Sequence, residues 1–157
     1  MNARPFADAA TRSAGGLALL ELVLAMRMSA MNGEQMAVAR AAADPRAAAQ
    51  AFLRTVYYKK WSRAQLNTTE YAPMLAVLMV IIKYKADNQK RALTTFERLS
   101  CYAALVSSVV FVAGIVRQGR IDHKNMRPGR GGMSPLRPLG AVARYASMGA
   151  LIYSVLT

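Results

Sequence analysis

The sequence contains very few of the residues that form disulfides and metal sites. Its 157 residues include one cysteine, Cys101, and one histidine, His123. A single cysteine excludes an intrachain disulfide, and one cysteine with one histidine cannot supply the paired spacings of zinc sites. We therefore predict no metal site, and we expect Cys101 to act as a small core residue. The glycine-rich and nucleophile motifs of nucleotide-binding proteins, P-loop enzymes and α/β-hydrolases are also missing.

Acidic residues are scarce as well, with 8 Asp and Glu against 21 Lys and Arg, which gives a net charge of +13. A nucleic-acid-binding protein could carry this charge. The sequence has no basic helix and no aromatic–basic surface pattern, however, so we expect no nucleic-acid partner. Hydrophobic residues make up 54% of the chain and occur in long runs. Apolar runs joined by basic connections are typical of multi-pass integral membrane proteins, so we expect the lipid bilayer as a partner.

The apolar runs predict an all-α protein, an integral membrane four-helix bundle that forms a single domain over residues 1–157. We expect spans at about residues 13–31, 63–84, 95–116 and 136–156. Residues 32–62 would form a long basic connection. Its alanine-rich stretches favour helix, either as an interfacial hairpin or as extensions of the first two spans.

Two short patterns predict where helices begin. Asp44 followed by Pro45 is typical of an N-cap and a first helical position. Thr94 and Glu97 have the spacing of a capping box, which predicts that the third span starts there.

Four spans place the first and third connections on one side of the membrane. Residues 32–63 and 117–137 carry twelve Lys and Arg, against six near the termini and in the second connection. By the positive-inside tendency, the twelve-charge side is cytosolic or its equivalent. The N-terminal residues are compatible with organelle import. We expect the host membrane to be that of the endoplasmic reticulum or of an organelle, mitochondrial or plastid.

The stretch RAQLNTTEYAP at residues 63–73 opens the second predicted span. Arg63, Asn67 and Glu70 are spaced i, i+4 and i+7, which puts them on one helical face. The predicted topology brings three further groups to the same side of the membrane: Arg120, His123 and Arg137. This arrangement favours a site for a small polar anion with a hydrophobic co-substrate from the lipid. The alternative is a polar clasp that joins helices.

The same stretch resembles the second-helix signature of the MAPEG family, the membrane-associated proteins of eicosanoid and glutathione metabolism. It is most similar to the microsomal glutathione transferase and leukotriene-synthase-like branches. The positions that match the family pattern are Arg63, Ala64, Asn67, Glu70, Tyr71 and Pro73. Weaker similarities are Arg120 with His123 at the end of the third span, and residues 134–140 at the start of the fourth.

The resemblance implies a homotrimer that binds glutathione in clefts between subunits. Arg63, Asn67, Glu70 and Tyr71 would then hold the tripeptide, with Arg120 and His123 contributing from the third span. Arg137 matches the arginine that stabilises the thiolate in the family, which makes it the candidate catalytic residue. The implied activity is a glutathione transferase or peroxidase that acts on hydrophobic electrophiles or lipid hydroperoxides.

Two other expectations concern structure more than chemistry. The long basic connection and Glu21 within the first span favour an alternative, a non-catalytic accessory subunit of a larger membrane complex. In the fourth span we expect Arg144 to pair with a carboxylate, Glu70 or Glu21. Small residues in that span would permit close helix packing, namely Gly140, Ser147 and Gly149.

Overall fold

The computed structural model describes residues 8–117 and 134–157, which form five helices and no strand. The prediction of an all-α protein is confirmed. The helices are α1 (Ala9–Ala41), α2 (Pro45–Leu53), α3 (Val56–Asn88), α4 (Thr95–Arg117) and α5 (Leu136–Leu156). The prediction that much of residues 32–62 is helical is also confirmed, since the end of α1, all of α2 and the start of α3 fall within it.

The helix starts follow the capping patterns of the sequence. The Asp44 side chain accepts a hydrogen bond of 3.0 Å from the amide of Ala47, and Pro45 occupies the first position of α2. The Glu97 carboxylate accepts a 2.6 Å bond from the Thr94 amide, and the Thr94 hydroxyl accepts a 3.2 Å bond from the Glu97 amide. These reciprocal bonds satisfy amides that have no partner within a helix, so both predicted starts are confirmed.

Among the helices of the described residues, three are long and apolar enough to cross a membrane: α1, α4 and α5. This agrees with a membrane-embedded protein. The predicted span at residues 63–84 lies within α3, which is not among the three. Its uninterrupted apolar stretch, residues 72–82, would extend only about 17 Å along a helix, whereas a bilayer core is about 30 Å thick.

The long helices pack through two apolar clusters. One lies where α3 begins and α4 ends, and it contains Leu24, Ala64, Phe111, Val112 and Ile115. The larger one lies toward the opposite end. It contains Ala9, Ala10, Leu17, Ala72, Leu75, Met79, Ile82, Ala86, Leu93, Cys101, Ala104 and Leu151. The prediction that Cys101 is a core residue is therefore confirmed.

Helices α4 and α5 approach so closely that side chains would not fit between them at two points. A Cβ atom on Gly140 would lie 2.5 Å from the backbone nitrogen of Phe111, and one on Gly114 would lie 2.5 Å from that of Arg137. The packing role predicted for Gly140 is confirmed, and Ser147 is buried. The same prediction for Gly149 is wrong within the described chain, because nothing lies within 4 Å of a Cβ added there.

Candidate functional site

One end of the helices, which we call the site end, brings together three segments that are distant in sequence. The Lys60 ammonium near the start of α3 donates a 3.4 Å hydrogen bond to the carbonyl of Val116 near the end of α4. The backbone of Arg137, in the first turn of α5, rests against Gly114. The start of α3, the end of α4 and the start of α5 therefore lie together, as the predicted topology requires.

The predicted site residues on α3 occupy its outer face. Arg63 and Glu70 are exposed, and Asn67 is half-buried. The Asn67 side-chain amide donates a 2.9 Å hydrogen bond to the backbone carbonyl of Arg63, one turn earlier. This bond fixes the orientation of the Asn67 side chain and leaves its oxygen available as an acceptor. Exposed side chains do not join helices of one chain, so a clasp through Arg63 and Glu70 would need a neighbouring molecule.

Tyr71 lies at the edge of that face, where α3 meets α5. Its hydroxyl is 2.9 Å from the hydroxyl of Tyr145, and either oxygen can be the donor. The two rings meet edge to face, with centroids 5.7 Å apart and an angle of 78° between the planes. Tyr145 is 48% exposed, so the hydroxyl pair lies at the protein surface.

Arg144 lies behind this tyrosine pair and is only 2% exposed. The guanidinium carbon is 4.1 Å from the ring centroid of Tyr71 and 4.2 Å from that of Phe111, so two π faces hold the cation. Its Nε atom is buried and has no hydrogen-bond partner. Sequence reasoning did not predict Tyr145 in this region, and it expected a carboxylate as the partner of Arg144 where the structure has aromatic rings.

The predicted pairing of Arg144 with Glu70 or Glu21 is wrong. No ion pair within 4.0 Å joins Arg144 to either carboxylate in the part of the chain that the structure describes. Glu70 lies on the exposed face of α3. Glu21 belongs to α1, which does not contact α5 within the described residues. The packing of α5 against α3 and α4 therefore brings the guanidinium against aromatic rings, and the Glu70 carboxylate acts on it only from beyond ion-pair distance.

Arg137 is half-buried in the first turn of α5, and its amide donates a 3.0 Å hydrogen bond to the carbonyl of Ser134. The close contact with Gly114 restricts where the backbone of this residue can lie. Arg120 and His123, the predicted contributors from the third span, lie outside the described residues.

A second aromatic–cation group lies near the site end, between α1 and α3. The guanidinium of Arg27 is 5.3 Å from the ring centroid of Tyr57 and 5.6 Å from that of Trp61, and it pairs with Glu34 at 3.4 Å. Tyr57 and Trp61 are four residues apart on one face of α3. Their spacing predicts a shared face, but only the packing of α1 identifies the cation that they receive.

A cavity of about 290 Å³ lies at the opposite end of the helices and includes none of the predicted site residues. Its lining contains Lys85, Arg91, Phe96, Glu97 and Tyr153. Arg91 donates two 2.8 Å hydrogen bonds to the Glu97 carboxylate, and these bonds raise the pKa of the guanidinium. The third charged group, the Lys85 ammonium, donates a 3.4 Å hydrogen bond to the Val155 carbonyl. Because these groups already have partners within the chain, the cavity supports a structural role better than a ligand site.

No protein-family model, curated protein or solved structure matches the chain.

Proposed function

We propose that this protein is a MAPEG-type glutathione transferase or peroxidase, a homotrimer of four-helix bundles in which α3 crosses the membrane with α1, α4 and α5. The host membrane is that of the endoplasmic reticulum or an organelle. The site end faces the cytosol or its equivalent, where glutathione is dissolved. The hydrophobic substrate, an electrophile or a lipid hydroperoxide, reaches the same end from within the bilayer.

The observation that carries the proposal is that charged and polar side chains from different helices lie together at the site end. The contacts of Lys60 with Val116 and of Gly114 with Arg137 unite the ends of three helices. Arg63 and Glu70 are exposed on the neighbouring face of α3. A fixed arginine, exposed groups of both charges and an amide oxygen provide the hydrogen-bond donors and acceptors that a zwitterionic tripeptide requires.

In the proposed mechanism, Arg63 binds a carboxylate of glutathione and Glu70 binds its ammonium group. Asn67 and Tyr71 bind peptide groups, together with Arg120 and His123 from the third span. Arg137 lies near the sulfur, where its positive charge favours the thiolate over the thiol. The thiolate then forms a bond to the electrophilic carbon, and the leaving group departs with the bonding electrons.

Exposed apolar side chains surround the proposed site and suit a substrate that arrives through the lipid. Leu66 lies between Arg63 and Glu70 on α3 and is 59% exposed, and Val142 on α5 is 68% exposed. An apolar substrate would remain in contact with hydrocarbon-like surface until it reaches the thiolate. This arrangement would bring a lipid-soluble electrophile and a water-soluble nucleophile together at the membrane boundary.

The test uses the full-length protein purified in detergent. Glutathione should bind and show the ultraviolet absorbance of a thiolate, and a generic aromatic electrophile should be conjugated. Arg137→Ala should lower the thiolate absorbance at least tenfold, which corresponds to a rise of at least about one unit in the thiol pKa. Arg98→Ala is the matched control, because Arg98 is an exposed arginine on α4 in the turn opposite the site end. If the wild-type protein neither binds glutathione nor forms thiolate, the proposal is wrong.

The alternative function is a non-catalytic accessory subunit of a larger membrane complex, and one feature of the structure favours it. Beyond Arg27, α1 continues through residues 28–41, about 20 Å past the level of Trp61. Helix α2 folds back on this extension, where Gln35 donates a 3.5 Å bond to the carbonyl of Ala49. Met36 and Val38 on the extension are 55% and 46% exposed. Stoichiometric purification within a large complex, without glutathione binding, would support this function.

A further inference from the structure

The buried charge of Arg144 lies against aromatic rings, and no carboxylate among the described residues is within 4.0 Å of it. A guanidinium with 2% exposure and an Nε atom without a hydrogen bond is costly in an apolar interior. The Tyr71 and Phe111 rings offset part of this cost, because each lies about 4 Å from the guanidinium carbon. Their quadrupoles do not cancel the net positive charge, and the Glu70 carboxylate offsets it only from beyond ion-pair distance, so the surface beside Arg144 favours an anion.

The hydroxyl pair of Tyr71 and Tyr145 lies beside Arg144 and reaches the surface. Two phenolic hydroxyls have two protons, and the 2.9 Å bond between them uses one. The second proton can be donated to an outside acceptor. Tyr145 is 48% exposed, and its ring centroid is 5.8 Å from the guanidinium carbon of Arg144. The pair is therefore a hydrogen-bond donor with a buried positive charge behind it.

We propose that Tyr145, held by its hydrogen bond with Tyr71, binds a carboxylate of the ligand through this free hydroxyl proton, and that Arg144 is the positioning residue that orients Tyr71 and supplies the positive potential. The inference rests on the proposed function for the identity of the ligand, which is glutathione. It extends the site from the outer face of α3 across to α5. Tyr145 becomes a ligand-binding residue, whereas Arg144 acts through the tyrosines and does not touch the ligand.

The test measures the dissociation constants of glutathione and of glutathione diethyl ester, which has no free carboxylate. Tyr145→Phe should weaken glutathione binding about tenfold, the cost of one hydrogen bond to a charged acceptor. It should leave the weaker binding of the ester unchanged. Arg144→Met keeps the length of the side chain but removes its charge, and it should also weaken glutathione selectively. Arg144→Lys should restore part of the preference for the acid.

Tyr153→Phe is the matched control, because Tyr153 is an exposed tyrosine of α5 near the opposite end. Variants that lose binding only through misfolding would weaken glutathione and its ester equally. Equal weakening, or no effect of Tyr145→Phe on either ligand, would overturn the inference while wild-type binding of glutathione keeps the proposed function.

A second pair of ligands tests the inference if the wild-type protein does not bind glutathione at all. That result removes the proposed function, and glutarate is then compared with dimethyl glutarate. If the wild-type protein binds glutarate more tightly than its dimethyl ester, and Tyr145→Phe removes this difference, the tyrosine pair is still a carboxylate-binding site. Absence of that preference would overturn the inference as well.

Discussion

The backbone of Arg137 lies directly against Gly114, and a Cβ atom at Gly114 would be 2.5 Å from the Arg137 nitrogen. Helices α4 and α5 therefore meet backbone to backbone at the residue that we propose as the thiolate-stabilising group. Only glycine, which has no Cβ atom, allows this approach at position 114. The position of Arg137 relative to α4 is consequently fixed by packing, since it does not depend on a flexible side chain from another helix.

We expect Gly114→Ala to separate α4 from α5 at the site end and to lower stability. Overpacking of this kind costs about 1–3 kcal/mol. Gly149→Ala is the matched control on α5, because nothing lies within 4 Å of an added Cβ. Replacing that exposed helical glycine should stabilise the protein by up to about 1 kcal/mol. Thermal unfolding in detergent measures both changes, and equal melting temperatures for the two variants would contradict the packing argument.

We expect α3 to cross the membrane, and cysteine labelling can test this directly. Cys101 is fully buried and is the only cysteine, so Cys101→Ala supplies an unreactive background. Arg54→Cys and Lys90→Cys then place single exposed thiols in the connections before and after α3. In oriented vesicles, a membrane-impermeant maleimide should label them from opposite sides. Labelling from the same side would show that α3 does not cross.

We expect Glu97→Gln to be destabilising, because it weakens two interactions at once. The Glu97 carboxylate is almost buried, caps α4 through the Thr94 amide and accepts two bonds from Arg91. Loss of its charge should cost about 1–3 kcal/mol, since Arg91 is left without its anionic partner but is partly exposed to water.

Glu34→Gln is the comparison for this prediction. The Glu34 pair with Arg27 is longer, at 3.4 Å, and more exposed. Its removal should cost less than about 1 kcal/mol. Chemical denaturation in detergent gives both values, and a cost for Glu97→Gln no larger than that for Glu34→Gln would contradict the prediction.

We expect Arg27→Met to uncover the single tryptophan. The Arg27 guanidinium lies 5.6 Å from the ring centroid of Trp61, which is half-buried. Loss of this cation–π contact should cost about 0.5–1 kcal/mol. It should also increase the quenching of tryptophan fluorescence by acrylamide. Arg98→Met is the control, because Arg98 lies in the first turn of α4 and makes its side-chain bond to Thr95. If both variants quench like the wild-type protein, Arg27 does not cover the indole.

Local sequence patterns predicted the features that depend on near neighbours. The capping partners of α2 and α4 lie within three residues of each other, so Asp44, Thr94 and Glu97 could be interpreted without knowledge of the fold. Apolar composition likewise predicted the helical class and the burial of Cys101. The extents of the helices were less accessible. The sequence shows where an apolar span gives way to a polar connection, but a helix does not have to end there. In the structure, α1 continues through the alanine-rich segment that follows its span and ends at Ala41.

The MAPEG resemblance and its glutathione chemistry stay predictions, and they depend on residue types at matched positions. For Arg63 and Glu70, the helical spacing already predicted a common face, and the structure has both residues exposed on α3. Arg120 and His123 lie outside the described residues.

The sequence by itself determined that the chain is helical, largely apolar and strongly basic, and it determined the helix starts at Asp44 and Thr94, because these properties follow from composition and from contacts within one turn. Only the tertiary structure decided the partners of Arg144. The rotation of α5 about its axis is set by the backbone contacts at Gly114 and Gly140. That rotation directs the guanidinium to Tyr71 and Phe111. Helical periodicity places a residue on a face, but close packing between helices decides what that face meets.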